Sequence, residues 1–386
     1  MDYSCDVRPG IDDLNLPDWS SLAGAHDLFM DPRFVRVMEQ EQSATIKHWS
    51  AIMHDQENRA SAIACLNLLP LDLAILSGGT LKNVADTLRH LFPEALRYRA
   101  LFCGLPVSAG QSHLRVSDDA IVSKVLTTLV ATMEALAGEE KARFLIFKEF
   151  DEEESSRFGE TLASLGFYRG ESPPMNHFPT RFRTFDEYRA ALKAPYRSKV
   201  VRSERKFLQQ RLRVECIRDG HAILDRLSDT TYQMYRAVVD KSPIKLEVLS
   251  PSWFREMARE FDRESVWTAV YDGDQLLAWA YGLRDGSVYH SLFGGVDYSR
   301  NADTDAYFNL MYHELDFALR SGVTGIQLGQ TADDFKGRLG ATQTGRWFFV
   351  KPLRWKAKLA LSLASEKLLP KFPSPVERHV FQAANI

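Results

Sequence analysis

Only four cysteines occur in 386 residues (Cys5, Cys65, Cys103 and Cys216), with no CxxC pair and no Cys/His ligand spacing. That excludes a disulfide framework or a structural zinc site and predicts reduced, buried thiols in a cytoplasmic protein with no metal. No apolar run approaches the roughly 18 residues of a membrane span. The opening MDYSCDVRPGIDD is acidic and lacks an apolar core, so no secretory signal is expected. Charge of one sign is missing too. Lys and Arg number 48 against 51 Asp and Glu, a net of −3, so nucleic acid can be attracted only through local clustering. What is present is a 45% hydrophobic chain, long enough for two or three domains.

The first half reads as a short helix (DPRFVRVMEQ) and β-rich runs at 49–54 and 60–69 around the polar turn DQEN. A helix at 83–92 and a strand at 98–103 follow. Ser117 or Asp118 then caps a long helix, AIVSKVLTTLVATMEAL, with apolar residues at helical spacing. A buried strand RFLIFKEF and an acidic helix DEEESSRFGETLASLG come next. The closing strand, about 173–180, holds two prolines, which predicts an edge position.

The second half opens with a basic helix interrupted at Pro195, a strand RLRVECI, and helices near 221–240 and 251–262. Three strands, ESVWTAVYD, QLLAWAYGLRD and SVYHSLFGGVD, are joined by Asp272-Gly273-Asp274 and Asp285-Gly286, the chemistry of tight hairpins. The long helix TDAYFNLMYHELDFALRSG, strand TGIQLG, a short helix in GQTADDFKGRLGATQTG and strand RWFFVKP complete it. Both halves share this order, and both short helices end in Leu-Gly, at Leu165-Gly166 and Leu339-Gly340, which argues for duplication.

A meander, long helix, strand, short helix and final strand resembles the Gcn5-related N-acetyltransferase (GNAT) fold. Two copies in tandem are similar to the Fem peptidyltransferases and FemAB-like acyltransferases. The carrying segments are FDEYRAALKAPYRSKVVRSERKFLQQRLRVE, VYDGDQLLAWAYGL and GVTGIQLGQTADDFKGRLGA. The resemblance implies an α/β, mixed-sheet protein with two tandem GNAT-like domains at 25–180 and 181–352, the second catalytic. Residues 1–24 would form an N-terminal extension and 353–386 a basic amphipathic helix and tail. The implied reaction moves an acyl or aminoacyl group from aminoacyl-tRNA or acyl-CoA, as co-substrate, to an amine. No tightly bound cofactor is implied. Such chemistry needs an oriented amine, a proton acceptor and a stabilised oxyanion.

Lys336 matches the family lysine at the active site, where an ammonium can hold a phosphate or a developing oxyanion. Read alone it is equally a solvated lysine in the first turn of a short helix, although the helix dipole favours acid there. Asp333 is a candidate base, but with Asp334 it forms a pair that more often caps a helix. Tyr281, Tyr289 and His290 lie on the meander, and alternation puts Tyr289 and His290 on opposite faces. His290 has a pKa suited to a base. Tyr289, Tyr298, Arg300 and Lys241 are assigned to substrate. The stretch FGGVDYSRNADTDAYF lacks a phosphate-cradling glycine pattern and sets Asp303 and Asp305 at a helix start; GLPVSAGQSHLR, ending at Arg115, departs from the pattern as well. Aminoacyl-tRNA, a carrier-bound acyl group and CoA held unusually all stay open as donors.

Residues 181–213 hold eleven Lys or Arg against three acids, a net of +8. Arg197, Lys199, Arg202, Arg205 and Lys206 are assigned to phosphate or tRNA; the competing reading is neutralisation by the acidic helix at 151–154. Residues 351–386, net +5, offer peripheral contact with an anionic membrane or packing on the second domain. Trp253 reads as core. The function expected is an N-acyltransferase making an amide on a small molecule, amino sugar or peptide-like precursor. The alternative is a non-catalytic GNAT module that binds an envelope precursor or protein partner.

Overall fold

The computed structural model describes residues 3–42, 46–72, 97–241, 248–372 and 378–382. The helix expected at 83–92 lies outside them. In chain order come β1 (Ser4–Arg8), α1 (Leu16–Ala23), α2 (Pro32–Gln42), β2 (Lys47–His54), β3 (Ala60–Asp72), β4 (Arg97–Cys103), β5 (Leu114–Val116), α3 (Val122–Glu139), β6 (Phe144–Phe150), α4 (Glu152–Ser164) and β7 (Tyr168–Pro179). The second half supplies α5 (Phe185–Ala191), α6 (Ala194–Gln209), β8 (Arg213–Ile217), α7 (Gly220–Leu224), α8 (Asp229–Lys241), α9 (Pro251–Glu260), β9 (Ser265–Asp272), β10 (Gln275–Asp285) and β11 (Val288–Val296). It ends with α10 (Tyr298–Thr304), α11 (Ala306–Arg320), β12 (Gly325–Gly329), α12 (Asp333–Leu339), β13 (Thr342–Pro352) and α13 (Trp355–Leu368).

The chain divides into two units, one of residues 1–174 and 345–374, the other of 175–344 and 375–386. This differs from blocks at 25–180 and 181–352. Residues 1–24 belong to the first unit, because β1 pairs with β2 from Ser4 against His54 to Arg8 against Ser50, and Trp19 is fully buried with its indole N–H on the Met30 carbonyl at 2.7 Å. The boundaries also cut through β7 and β13. Residues 347–352 of β13 pair antiparallel with β6, while residues 176–179 of β7 pair antiparallel with β12. The last strand of each half thus completes the sheet of the other unit. A strand goes where its backbone ladder is satisfied, whatever its place in sequence. The expected edge position of β7 does not hold: β12 and β13 flank it, and Pro173 and Pro174 sit where the chain leaves the first unit.

In the first unit β1 to β4 pair antiparallel in sequence order, and β4 pairs parallel with β6 from Ala100 against Phe144 to Cys103 against Phe147. The long helix α3 buries Val125, Leu126, Leu129, Val130 and Met133 against this sheet, an apolar stripe at helical spacing. Asp151 and Glu154 form a reciprocal capping box on α4.

The second unit repeats the plan. β8 to β11 form an antiparallel meander whose hairpins turn at Gly273 and Gly286, both left-handed, as the Asp-Gly pairs predict. The helix expected near 221–240 is two, α7 and α8. Trp253 is fully buried, and α11 buries Leu310, Met311, Leu315, Ala318 and Leu319. Each unit's short helix is closed by a left-handed glycine, Gly166 at φ +88° and Gly340 at φ +97°.

The two glycines differ in room. A Cβ at Gly340 would lie 2.5 Å from Phe381 Cζ, whereas at Gly166 the nearest atom beyond its chain neighbours, Lys351 Cε, is 3.8 Å away. Gly340→Ala is expected to cost about 1–3 kcal/mol through backbone strain, with a further loss from the clash, and Gly166→Ala only the strain. Urea-unfolding midpoints check this; equal losses would show that Phe381 yields freely.

Candidate active site

In the second unit β11 and β12 run parallel for three pairs only, Val288 with Gly325, Tyr289 with Ile326 and His290 with Gln327. Beyond that they part. β11 stays bonded to β10 as far as Val296, and β12 ends at Gly329, φ +80°. A seven-residue helix, α12, follows. Its N-cap is Ala332, in the left-handed region at φ +57° and without a capping side chain. The pair expected to cap the helix does other work. Asp333 accepts from Asn176 Nδ2 at 2.8 Å, and the same amide donates to the Gly329 carbonyl at 2.9 Å. Fully buried, Asn176 therefore pins the strand end to the helix start. Asp334 pairs with Arg338 at 2.5 Å and Arg378 at 2.7 Å.

Lys336 is not solvated. It is 4% exposed on a helix whose Asp333, Asp334 and Arg338 are exposed. Its Nζ would stand 3.8 Å from a Cβ on Gly329, a point 4.0 Å from the Ser291 carbonyl oxygen. The ammonium thus sits where the strands part, with no hydrogen-bond partner among the described residues. Burial pulls its pKa down to about 8, against the opposing charges of Asp333 and Glu314. Glu314, on α11, is 1% exposed. One carboxylate oxygen accepts from the Tyr289 hydroxyl at 2.8 Å. Burial raises this carboxyl, while the Tyr289 bond, the Ser291 side chain and Lys336 act the other way. Tyr289 is pushed well up by burial and by Glu314.

Tyr289 and His290 take opposite faces, as alternation requires. Tyr289 turns to α11, and His290 Nδ1 lies 3.1 Å from Gln327 Oε1. Burial drives His290 down to about 4, so it is neutral at pH 7. Tyr281 is one strand away on β10, buried, its hydroxyl 2.8 Å from Ser265 Oγ, and its pKa is raised by burial. Tyr298, Lys241 and Arg300 gather past the far end of β11. Lys241 Nζ lies 3.2 Å from the Tyr298 ring centre, and Arg300 binds Asp272 at 2.8 Å and Gln275 at 3.1 Å.

On α6, Lys206 is tied to Asp305 at 3.0 Å and to the Ala302 carbonyl at 2.6 Å, and Arg197 reaches the Ala190 carbonyl at 3.4 Å. Lys199, Arg202 and Arg205 are exposed and without an ionic partner among the described residues. Of the acids at 151–154, Glu154 is engaged by Ser112 and Arg115. The first two amides of α11 are already bonded within the chain. Ala306 N–H bonds Thr304 Oγ1 at 3.3 Å and Tyr307 N–H bonds Asn301 Oδ1 at 2.9 Å, with Asp305 as N-cap. Arg115 is held by Asp27 at 2.6 Å.

Two members of this arrangement were not anticipated. Glu314 had a signal: it lies three residues after Met311 and four after Leu310, an acid inside the apolar stripe of its helix. Asn176 had none, since its role depends on which strand β7 joins.

Residues 194–337 match a family model described as an acetyltransferase (GNAT) domain. Over 134 residues the chain is 26% identical to a Mycobacterium tuberculosis protein provisionally named 8-amino-7-oxononanoate synthase 2. That match covers 35% of this chain and 17% of the relative, so the chain spans about a sixth of that protein's length. A solved structure of FemX superposes with a TM-score of 0.55 at 13% identity, covering 91% of this chain and 98% of the other. A tandem GNAT protein from the clavulanic acid biosynthesis pathway gives 0.51 at 12% identity, with 91% and 98% covered.

The buried lysine carries a stability signature. Its ordinary pKa of 10.5 falls to about 8 on folding, so between those values the unfolded chain binds more protons, and stability rises with pH. Below about 8 the whole penalty is present, on the order of 3 kcal/mol. Lys336→Met is expected to melt higher than the native chain at pH 7, with the gap closing between pH 8 and 10.5. A pH-independent gap in thermal melts would mean the lysine is not buried as an ammonium.

Proposed function

We propose that this chain, a member of the GNAT superfamily with the FemAB-like tandem fold, transfers an acyl or aminoacyl group from an activated donor to an amine. The product is an amide on a small molecule, amino sugar or peptide-like precursor. The observation that carries this reading is Lys336, a cation desolvated by the fold and left, among the described residues, without a hydrogen-bond partner at the parting of β11 and β12. A charge already stripped of water acts strongly on whatever charge develops beside it. In the reaction the amine nitrogen attacks the activated carbonyl carbon. A C–N bond forms and the C–O or C–S bond to the carrier breaks. The proton lost by the amine balances the proton gained by the departing hydroxyl or thiol. Lys336 faces the oxyanion or the donor phosphate, and Glu314 positions it and favours its charged form. Of the residues considered for relaying the proton, His290 lies beside the strand parting in its neutral form. Tyr281 and Asp333 are each bonded to a neighbour, Ser265 and Asn176.

For the donor, we favour aminoacyl-tRNA over a thioester. The first amides of α11 are occupied, which argues against an ordinary pyrophosphate cradle, and Lys199, Arg202 and Arg205 repeat every third residue on α6, exposed and unpaired among the described residues. Such a row suits a phosphate backbone.

Lys336→Ala is expected to lower turnover about 10²- to 10³-fold without lowering the melting temperature, the scale of losing one oxyanion partner. Loss of fold and activity together would make the lysine structural, and bound acceptor without turnover over a broad donor panel would favour a non-catalytic module. Because the cation is required, kcat/KM should be flat below about pH 8 and fall above it. Glu314→Gln removes a charge that raises the lysine's pKa, so the alkaline limb should move to lower pH; an unmoved limb assigns Glu314 to packing alone. Arg202→Glu with Arg205→Glu should raise KM for the donor severalfold at similar kcat. A ribonuclease-insensitive reaction supported by acyl-CoA alone would eliminate the tRNA donor and leave acyl transfer standing.

A further inference from the structure

The helix α13 lies outside the machinery described above. Its inner side is held: Ala357 and Leu361 pack on the cluster of Ile46, Leu71, Phe144, Val350 and Leu369 in the first unit. Its outer side carries Trp355, Leu359 and Leu363, which are 70%, 52% and 77% exposed. At 100° per residue these three fall within an arc of 80°, a continuous ridge of large apolar side chains. Lys356 falls on one flank of that ridge and Lys358 on the other, with Arg354 just before the helix. All three cations are exposed and have no ionic partner among the described residues. A ridge of this kind costs free energy in water and is not used by the fold.

We infer that α13 docks the first unit on an anionic lipid surface, lying in the interface with Trp355, Leu359 and Leu363 in the acyl boundary and Arg354, Lys356 and Lys358 against lipid phosphates. Charge selects this occupant. A second copy seated on the same ridge would bring Lys356 and Lys358 against their own duplicates, and the helix contains a single acid, Glu366, to offset them. An anionic bilayer meets both features at once, apolar ridge and flanking cations. Fourteen residues rise only about 21 Å, and no helix among the described residues is long and apolar enough to cross a membrane, so this one lies on the surface.

The test is co-sedimentation of the full chain with vesicles of phosphatidylglycerol and phosphatidylcholine in equal parts, beside vesicles of phosphatidylcholine alone, at 0.15 M salt. Expected is binding to the anionic vesicles at least tenfold above the neutral ones, weakened at 0.5 M salt. Leu359→Ser with Leu363→Ser, and separately Lys356→Glu with Lys358→Glu, should each lower binding more than tenfold at unchanged circular dichroism and melting temperature. Vesicle addition should blue-shift tryptophan fluorescence in the native chain and not in Trp355→Phe. No binding to anionic vesicles overturns the inference, as does binding that survives both double substitutions. A dimer, or a complex with an acidic protein, that the serine pair abolishes while vesicle binding persists would reassign the ridge to that contact.

Discussion

The parting of β11 from β12 after three residue pairs is the constraint on which the second unit's candidate site depends. A parallel ladder that continued would satisfy the backbone and close the space. Because it stops, the chain must turn at Gly329 and cover the gap with a helix short enough to fold back at once. That helix brings Lys336 inward, where burial works against its charge. Asp333 and Glu314 oppose that shift, and with its pKa at about 8 the group is an ammonium at neutral pH by a narrow margin. Asn176 fixes the geometry by holding the last carbonyl of β12 and the first acid of α12 with one amide.

The first unit shows what the same frame does without that device. Its β4 and β6 run parallel in the same way, and its short helix ends at a left-handed glycine, yet four residues before Gly166 stands Leu162, fully buried, where the second unit has Lys336 before Gly340. The buried cation nearby in sequence, Lys148, is spent on the carbonyls of Leu105 and Pro106 at 2.8 and 3.2 Å. Arg115 is closed on Asp27 and Glu154. The first unit binds Lys148 and Arg115 internally; the second leaves Lys336 without a hydrogen-bond partner among the described residues.

How much of this was legible depends on the range of the signal. The hairpins at Gly273 and Gly286, the long apolar helices and the paired Leu-Gly endings are local, and period and turn chemistry carried them. Lys336 stood out because a lysine in an acidic first turn conflicts with the helix dipole, and burial explains the conflict. Asp333 and Asp334 have the chemistry of caps but do not cap, because a left-handed Ala332 takes the N-cap position. His290 and Tyr281 were placed on the right strands, but their pKa shifts come from burial, which a strand pattern does not measure. Lys206 looked like its neighbours on α6, and only the fold sets Asp305 against it. The prolines of β7 point to an edge, and the partners that make it an inner strand are far away in sequence.

That distance bears on how the chain reaches its fold. Phe150 pairs with Trp347, and Ile326 with Phe178, so each sheet lacks a strand until a segment some 150 to 200 residues away has arrived. Closing such long loops comes late and slows folding relative to local contacts. During synthesis the first unit would wait with β6 exposed along one side until β13 emerges. The second unit has the opposite problem, since β7 is made early and must remain unpaired until β12 exists. Nascent chains of this kind spend their synthesis with open ladder edges, the state in which strands recruit wrong partners. The exchange also makes the tandem indivisible: cut between the two halves of the sequence, each fragment would carry a strand it cannot use and lack one it needs.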